Sequence, residues 1–350
     1  MGKNMLKNKE IAQMLAISPA AVSLALNNKP GVSEELRRKV VALRNGSMAA
    51  EFNSIQQRSQ HASQILFIVL KKHGNVISNT PFFMSLQETL YQQTAIEGYG
   101  LQVSHFDPRQ QLKDFLTDLH VDQYDGILLL GTEAEPDDIR DILSLGKPTV
   151  VLDSWFEGMH VDCVLMDNES GIRQAVRHAV ERGHRKIGFV GSCVSANNFQ
   201  ERYRAYRSEL DMLGIPCDAR YAHFVHSTVD GASRDMKQIL QGKPELPTLF
   251  ICGNDLIAMG VMEALNEYGY SVPRDVSVIG FDEMPVSAHL NPPLTSIGFH
   301  TRRIAKTAVR TLVERIQSAG KGSGCARYLV NAELKIRDSV AIPPSSAQEQ

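Results

Sequence analysis

From residue 65 onward the apolar positions fall in short runs: ILFIVL (65–70), GILLLG (126–131), PTVVLD (148–153), KIGFVG (186–191), TLFICG (248–253) and VSVIGFD (276–282). Amphipathic stretches of ten or more residues separate them. A strand buried on both faces reads as a continuous apolar run, and a crossover helix supplies the stretch between, so the pattern predicts βαβ units with parallel sheets. About 280 residues with this many strands exceed one comfortable core, which predicts two sheets. Residues 1–46 follow another rhythm. Ile11, Met14 and Leu15, then Val22, Ala25 and Leu26, then Leu36, Val40 and Leu43 recur at helical spacing in three short blocks.

The second block opens on Ser18 as N-cap with Pro19 at the first helical position, an arrangement that satisfies or dispenses with orphan amides. Asn27, Asn28, Lys29, Pro30 and Gly31 end it, and Ser33 can cap the third block. Helix, short turn and second helix in EIAQMLAISPAAVSLALNN fit a helix-turn-helix, whose second helix enters the major groove. A structural helical hairpin has the same periodicity. Charge, with the polar side chains of the head, tilts the balance toward DNA: residues 1–46 hold eight Lys/Arg against three Asp/Glu, a net +5 within a chain of −2. A basic head on an acidic body is expected where only the head meets a polyanion, although a basic solvated face has the same composition. The hydroxyls and amides of Ser18, Ser23, Asn27 and Ser33, with Lys29, can serve phosphate oxygens.

The domain layout read from this texture is a helix-turn-helix head at 1–46, a polar linker at 47–63, an α/β body at 64–342 and a polar tail at 343–350. With 350 residues and 43% hydrophobic content the chain can bury several cores. No run reaches the roughly 18 apolar residues of a membrane span, and MGKNMLKNKE has no signal-peptide core, so a cytoplasmic protein without membrane partners is expected. Five scattered cysteines without a CxxC pair predict reduced, mostly buried thiols and no metal site. The glycines of GFVGS and GTEAE lack dinucleotide-site spacing. G-x-S-x-G, H-E-x-x-H and P-loop patterns are missing, so no enzyme and no cofactor is expected. His184, beside two arginines in RGHRKIGF, reads as a structural turn residue ahead of a strand.

The chain resembles the lactose-repressor family of bacterial regulators along its whole length. The head through NNKPGVSEELRRKV carries the resemblance at one end; NTPFF, DGILLLG, ERGHRKIGFVG, CGNDLIAMGVMEAL, VPRDVSVIGFDE and PPLTSI carry it through the body. It implies an all-α helix-turn-helix domain, a hinge, and a two-lobed sensor like periplasmic sugar-binding proteins. It also implies a homodimer on a near-palindromic operator, with DNA affinity set by a small polar effector such as a sugar. A solute-binding protein on the same sensor fold is the alternative; it would need a signal peptide and no basic head.

At the head, the resemblance places base readout at Pro19, Ala20 and Leu24. None of the three offers a polar side-chain group, which leaves methyl contacts from Ala20 or Ala21 and DNA shape to carry specificity. The family's hinge leucine is replaced: MAAEFNSIQQRSQ puts Arg58 at the wedge position by ungapped count, with Ile55 or Phe52 available in a shifted register.

In the sensor, Arg202 in ERYRAY falls at the family's ligand-gripping arginine and Asp282 in GFDE at its ligand carboxylate. A guanidinium can fork two hydrogen bonds to a polar ligand and a carboxylate can accept from sugar hydroxyls. The competing reading is an ion pair joining the lobes. Asn254 with Asp255 starts a helix, so N-capping comes first and ligand contact second. Of Phe82 and Phe83, one is expected to pack and the other to line the cleft. Asp153 and Trp155 end PTVVLD, where open α/β sheets bind ligands, with hinge packing as the alternative for Trp155.

Overall fold

The computed structural model describes residues 8, 11, 19–27, 29, 32, 37, 40–41, 63–72, 81–194, 196–318 and 324–343. The chain divides into two compact units, Met1–Ser63 and Gln64–Gln350.

In the first unit, helix α1 (Pro19–Leu26) begins on its proline, the position where a missing N–H costs nothing. Val22 and Ala25 turn inward and are buried, as are Ile11 and Val40, one from each of the other two apolar blocks. Arg37 reaches back to the end of α1. Its guanidinium donates to the carbonyls of Leu24 (3.4 Å), Ala25 (3.3 Å) and Lys29 (2.9 Å), of which Leu24 also accepts from the Lys29 N–H (3.0 Å).

The second unit contains two six-stranded sheets. The first has the order β11-β5-β4-β3-β1-β2, built from β1 (Gln64–Val69), β2 (Gly100–His105), β3 (Gly126–Leu130), β4 (Thr149–Leu152), β5 (Asp162–Met166) and β11 (Arg327–Val330). The second has the order β12-β10-β9-β8-β6-β7, from β6 (Ile187–Ser192), β7 (Ala222–Val225), β8 (Leu249–Cys252), β9 (Ser277–Phe281), β10 (Thr295–Phe299) and β12 (Ala332–Lys335). All pairings are parallel except β10 with β12.

Helices cover both faces of each sheet, as parallel strands require. In lobe 1, α2 (Pro81–Ile96) and α9 (Thr301–Gln317) cover one face and α3 (Leu112–Asp118) and α4 (Pro136–Leu143) the other. The inward stripe of α9, with Ile304, Ala308 and Leu312 among its buried members, packs on Phe67, Leu128 and Val150. In lobe 2, α5 (Asn168–Glu181) and α6 (Asn197–Met212) lie on one face, α7 (Val229–Gln241) and α8 (Asp255–Glu267) on the other. The helix starts are fixed locally: the Asp167, Thr228 and Asn254 side chains accept from the N–H groups of Ser170, Gly231 and Ile257.

The chain passes between lobes three times, from β5 to α5, from β10 to α9 and from β11 to β12. Three connecting segments therefore join the lobes.

Two expectations need correction. Only Cys163 and Cys252 are buried; Cys193, Cys217 and Cys325 are exposed, and all five are free thiols. The exposed three lie in loops rather than in the apolar runs, so the small hydrophobic character of the thiol does not pull them inward. The alternative of a lobe-joining Arg202–Asp282 pair also fails, because Arg202 is on α6 and Asp282 follows β9, both in lobe 2.

Candidate functional site

The carboxyl ends of the parallel strands in the two lobes face one another, which is where open α/β sheets leave a crevice. Four residues that follow these ends carry the polar groups of the cleft: Thr132 after β3, Asp153 after β4, Gly253 after β8 and Asp282 after β9. Asp153 and Asp282 both have left-handed backbones, φ 61° and 98°. Aspartate tolerates this region better than most residues, and such conformations concentrate at ligand sites.

Asp153 is buried. Its Oδ2 accepts from Thr132 Oγ1 in its own lobe at 2.7 Å and from Asn198 Nδ2 of lobe 2 at 3.4 Å. Its Oδ1 is buried with no hydrogen-bond partner. Burial pushes its carboxyl up to about 7, opposed by the Thr132 hydroxyl and the Arg202 charge and reinforced by Asp282.

Arg202 is 1% exposed, and for a guanidinium that depth demands partners. Nε donates to Asn168 Oδ1 at 2.9 Å and Nη1 to the Gly253 carbonyl at 2.6 Å, while the plane lies 3.7 Å over the Phe281 ring. Nη2 stands 3.3 Å from Asp282 Oδ1, close enough for charge attraction. The pair is misaligned for a hydrogen bond, so both atoms remain buried without one. Burial raises the Asp282 carboxyl above its ordinary range, and Arg202 opposes the rise. Asp153, Arg202 and Asp282 thus form one electrostatically coupled cluster with three polar atoms that make no hydrogen bond.

Asn254 adjoins the cluster through Gly253, and its own Oδ1 caps α8 by accepting from Ile257 N at 2.9 Å. Asp255 turns away from the cleft role: it is buried and accepts from Met284 N, Ser287 Oγ and Ser296 Oγ. Phe82 and Phe83 start α2, meet edge to face at 5.2 Å, and both pack against the lobe 1 core while half-buried. Trp155 bridges the lobes. Its Nε1 donates to Glu201 Oε1 at 2.6 Å and its carbonyl accepts from Asn197 Nδ2 at 2.7 Å, both partners belonging to α6 of lobe 2. His184 is fully buried in lobe 2 between Thr248 Oγ1 (2.8 Å) and the Ala341 carbonyl (2.9 Å), a structural role.

Sequence reasoning did not single out Thr132, Asn168, Asn198 or Glu201. Asn198, Glu201 and Arg202 share one stretch of α6, and Asn168 lies two residues past the strand run DCVLM, so position after an apolar run was the available signal.

In the head, Ala21, Ser23 and Leu24 are half-buried on α1, Asn27 and Lys29 are exposed, and Asn27 Nδ2 donates to the Ser23 carbonyl at 2.8 Å. Ser18, Ser33, Ile55 and Arg58, and the side chains of Pro19 and Ala20, lie outside the described residues.

Two lobes of parallel sheet, three crossovers and a polar interlobe cluster define a periplasmic-binding-protein-like sensor, and a model of the periplasmic binding protein-like domain matches residues 176–340. The ribose operon repressor of Haemophilus influenzae is 28% identical over 89% of this chain and 92% of its own length. The transcriptional repressor PurR of Mannheimia succiniciproducens is 29% identical over 95% and 98%. Among solved structures, the lac repressor dimer bound to operator and an anti-inducer superposes with TM-score 0.70 at 21% identity, covering 97% of this chain and 100% of that one. Along nearly its whole length the chain is thus similar to transcriptional repressors, and in fold to the lac repressor.

Proposed function

We propose that the chain is a ligand-responsive repressor that binds a near-palindromic operator as a homodimer through residues 1–46. In this reading residues 47–63 form the hinge and 64–342 the sensor for a sugar or sugar derivative. The observation that carries it is the set of three buried polar atoms, Arg202 Nη2, Asp282 Oδ1 and Asp153 Oδ1, left without hydrogen bonds where two lobes meet. A buried unsatisfied polar atom costs about 1–3 kcal/mol, so a polyhydroxylated ligand that donates to two carboxylates and accepts from a guanidinium recovers that cost on binding. Asn254, Phe82, Phe83 and Trp155 are assigned to the same site, the aromatic residues as its apolar wall.

Ligand binding that depends on Asn198 of lobe 2 and Asp153 of lobe 1 favours the closed arrangement of the sensor. The coupling of that closure to the heads is worth typically about 1–3 kcal/mol. The similarity to the ribose operon repressor and to the transcriptional repressor PurR supports this reading, as does the basic head. No helix among the described residues is long and apolar enough to cross a membrane. The assignment includes a cytoplasmic location and no catalytic role, since the similar curated proteins are regulators. A thermal-shift screen of the full chain against sugars, sugar phosphates and nucleosides tests it, because a ligand that binds the folded state raises Tm with concentration. One class should shift Tm saturably and change operator affinity in a gel shift. Binding without any effect on operator affinity would defeat the proposal.

A further inference from the structure

Four side chains form a hydrogen-bonded relay from lobe 1 into the effector cleft. Trp155 Nε1 donates to Glu201 Oε1 at 2.6 Å, Asn168 Nδ2 donates to Glu201 Oε2 at 2.8 Å, and Arg202 Nε donates to Asn168 Oδ1 at 2.9 Å. Asn168 is 4% exposed, so its amide depends on these two partners rather than on water. Each link has one polarity. An indole N–H and a guanidinium only donate and a carboxylate only accepts, so the Asn168 amide must turn its oxygen to Arg202 and its NH2 to Glu201. Both planar groups in the middle serve two partners each, and neither can rotate toward one without losing the other. Asn168 is also the first residue of α5, directly past the β5–α5 crossover that joins the lobes. At the lobe 1 end, Arg327 lies on the Trp155 ring with its guanidinium carbon 4.2 Å from the centroid, which restricts the indole.

We propose that Asn168 is a positioning residue that couples the Trp155–Glu201 contact between the lobes to the placement of Arg202, an inference that rests on Arg202 lying in the effector site. With Trp155 in place, both Glu201 oxygens hold donors and the amide is fixed between Glu201 and Arg202. Nε is then engaged from one side, and Nη2 is left facing Asp282. When Trp155 withdraws, one Glu201 oxygen loses its donor, the carboxylate can turn, and the amide loses the partner that fixes it. Arg202 keeps the Gly253 carbonyl but no longer has a fixed acceptor at Nε. A ligand that binds Arg202 as the intact relay presents it favours the arrangement in which Trp155 reaches lobe 2. The linkage runs equally in the other direction.

Trp155 is the sole tryptophan, so its emission reports the lobe 1 end of the relay in the full chain. Acrylamide quenching is the first measurement. Asn168→Asp keeps an acceptor for Arg202 but sets a carboxylate against Glu201. Glu201→Gln turns an NH2 toward one of the two donors it meets. Each single variant should raise the Trp155 quenching constant, since loss of one such hydrogen bond moves a two-state ratio about fivefold. Made together, the two substitutions exchange amide and carboxylate along the relay and restore a donor and an acceptor at every link. The paired variant should therefore return to the parent's quenching. The cleft end is read at Arg202 itself, by the NMR resonance of its Nε–H. Trp155→Phe removes the indole donor, keeps a ring under Arg327, and should shift that resonance and speed its exchange with solvent. A paired variant quenched as strongly as either single one would overturn the link through Asn168. An Arg202 resonance unmoved by Trp155→Phe would overturn the coupling to the cleft. Neither readout involves effector or operator, so failure here is distinct from failure of the proposed function.

Discussion

Arg202 and Asp282 approach to 3.3 Å inside a single lobe, yet neither of the facing atoms makes a hydrogen bond. The pair is therefore not a strut between lobes but a half-satisfied site. Its members should respond differently to mutation. Arg202→Ala removes the donors to Asn168 and Gly253 and leaves Asp282 as an uncompensated buried charge, a loss of about 3–5 kcal/mol. Asp282→Asn keeps the shape and removes only the charge. It should weaken effector binding by roughly one to two decades with a small change in apo Tm. Calorimetric titration beside apo melting curves separates the two; unchanged affinity in Asp282→Asn would take that residue out of the site.

The Trp155–Glu201 hydrogen bond should bias the sensor toward closure. Glu201 is half-buried, so screening limits the contribution to about 1 kcal/mol. Glu201→Gln retains size and replaces the charged acceptor by a neutral one. The apo protein should then show a larger radius of gyration in small-angle scattering, and effector affinity should fall several-fold. A scattering curve identical to that of the parent chain contradicts the role.

Six strands of the sensor were legible from contiguous apolar runs, and all six are buried at the centres of the two sheets. The others escaped because burial, not composition alone, writes the pattern. β2, β7, β11 and β12 lie at sheet edges and carry mixed exposure, so LQVS, AHFV, RYLV and AELK give no continuous run. β5 is central but begins on Asp162, whose charge is paired with Arg315 of α9, a partner more than 150 residues away that no local reading supplies. The site divides the same way. Asp153, Arg202 and Asp282 were found at strand ends or by family position, whereas Asn198 and Glu201 matter through cross-lobe contacts, and Asn168 through contacts with Glu201 and Arg202 between two helices of lobe 2, that only the folded chain creates.

DNA binding should require residues 1–60. A truncated chain beginning at Ser63 should lose specific operator binding in gel shift, and the parent chain's affinity should fall with salt at a logarithmic slope of about −0.9 per phosphate neutralised. Within the head, Arg37 satisfies three carbonyls near the end of α1. Arg37→Ala should weaken operator binding through loss of head stability, with effector binding unchanged. If the variant head melts like the parent and binds operator normally, the contacts at Leu24, Ala25 and Lys29 contribute little.

The replaced hinge leucine leads to a prediction about DNA shape. Prising open a base step takes an apolar wedge, and Arg58 at the ungapped position supplies none at its tip. Circular-permutation gel shifts should show a weakly bent operator. A sharp central kink that Ile55→Ala removes would instead make Ile55 the wedge and shift the register of the hinge.

The last prediction concerns pH. Burial holds the Asp153 carboxyl near 7, against an ordinary carboxylate value of 3.8. Between about pH 4 and pH 7 the folded protein therefore keeps a proton at Asp153 that the unfolded chain has released. A state that binds more protons is favoured by acid, so this contribution to stability is complete below about pH 4 and is lost as pH rises to 7, at about 1.4 kcal/mol per unit. Asp255 shares the direction, its carboxyl also pushed up to about 7 by burial, so the total slope does not isolate one group. Asp153→Asn does: its apo stability should fall less steeply with pH than that of the parent chain, with the Asp255 share left intact. Ligand should act on the same proton. A hydroxyl donated to the free Oδ1 favours the carboxylate, so effector binding should release a proton from Asp153 below pH 7 and grow tighter as pH rises. Calorimetry in buffers of different ionisation enthalpy measures that release. An Asp153→Asn chain whose stability slope and proton release match the parent would place the raised carboxyl elsewhere.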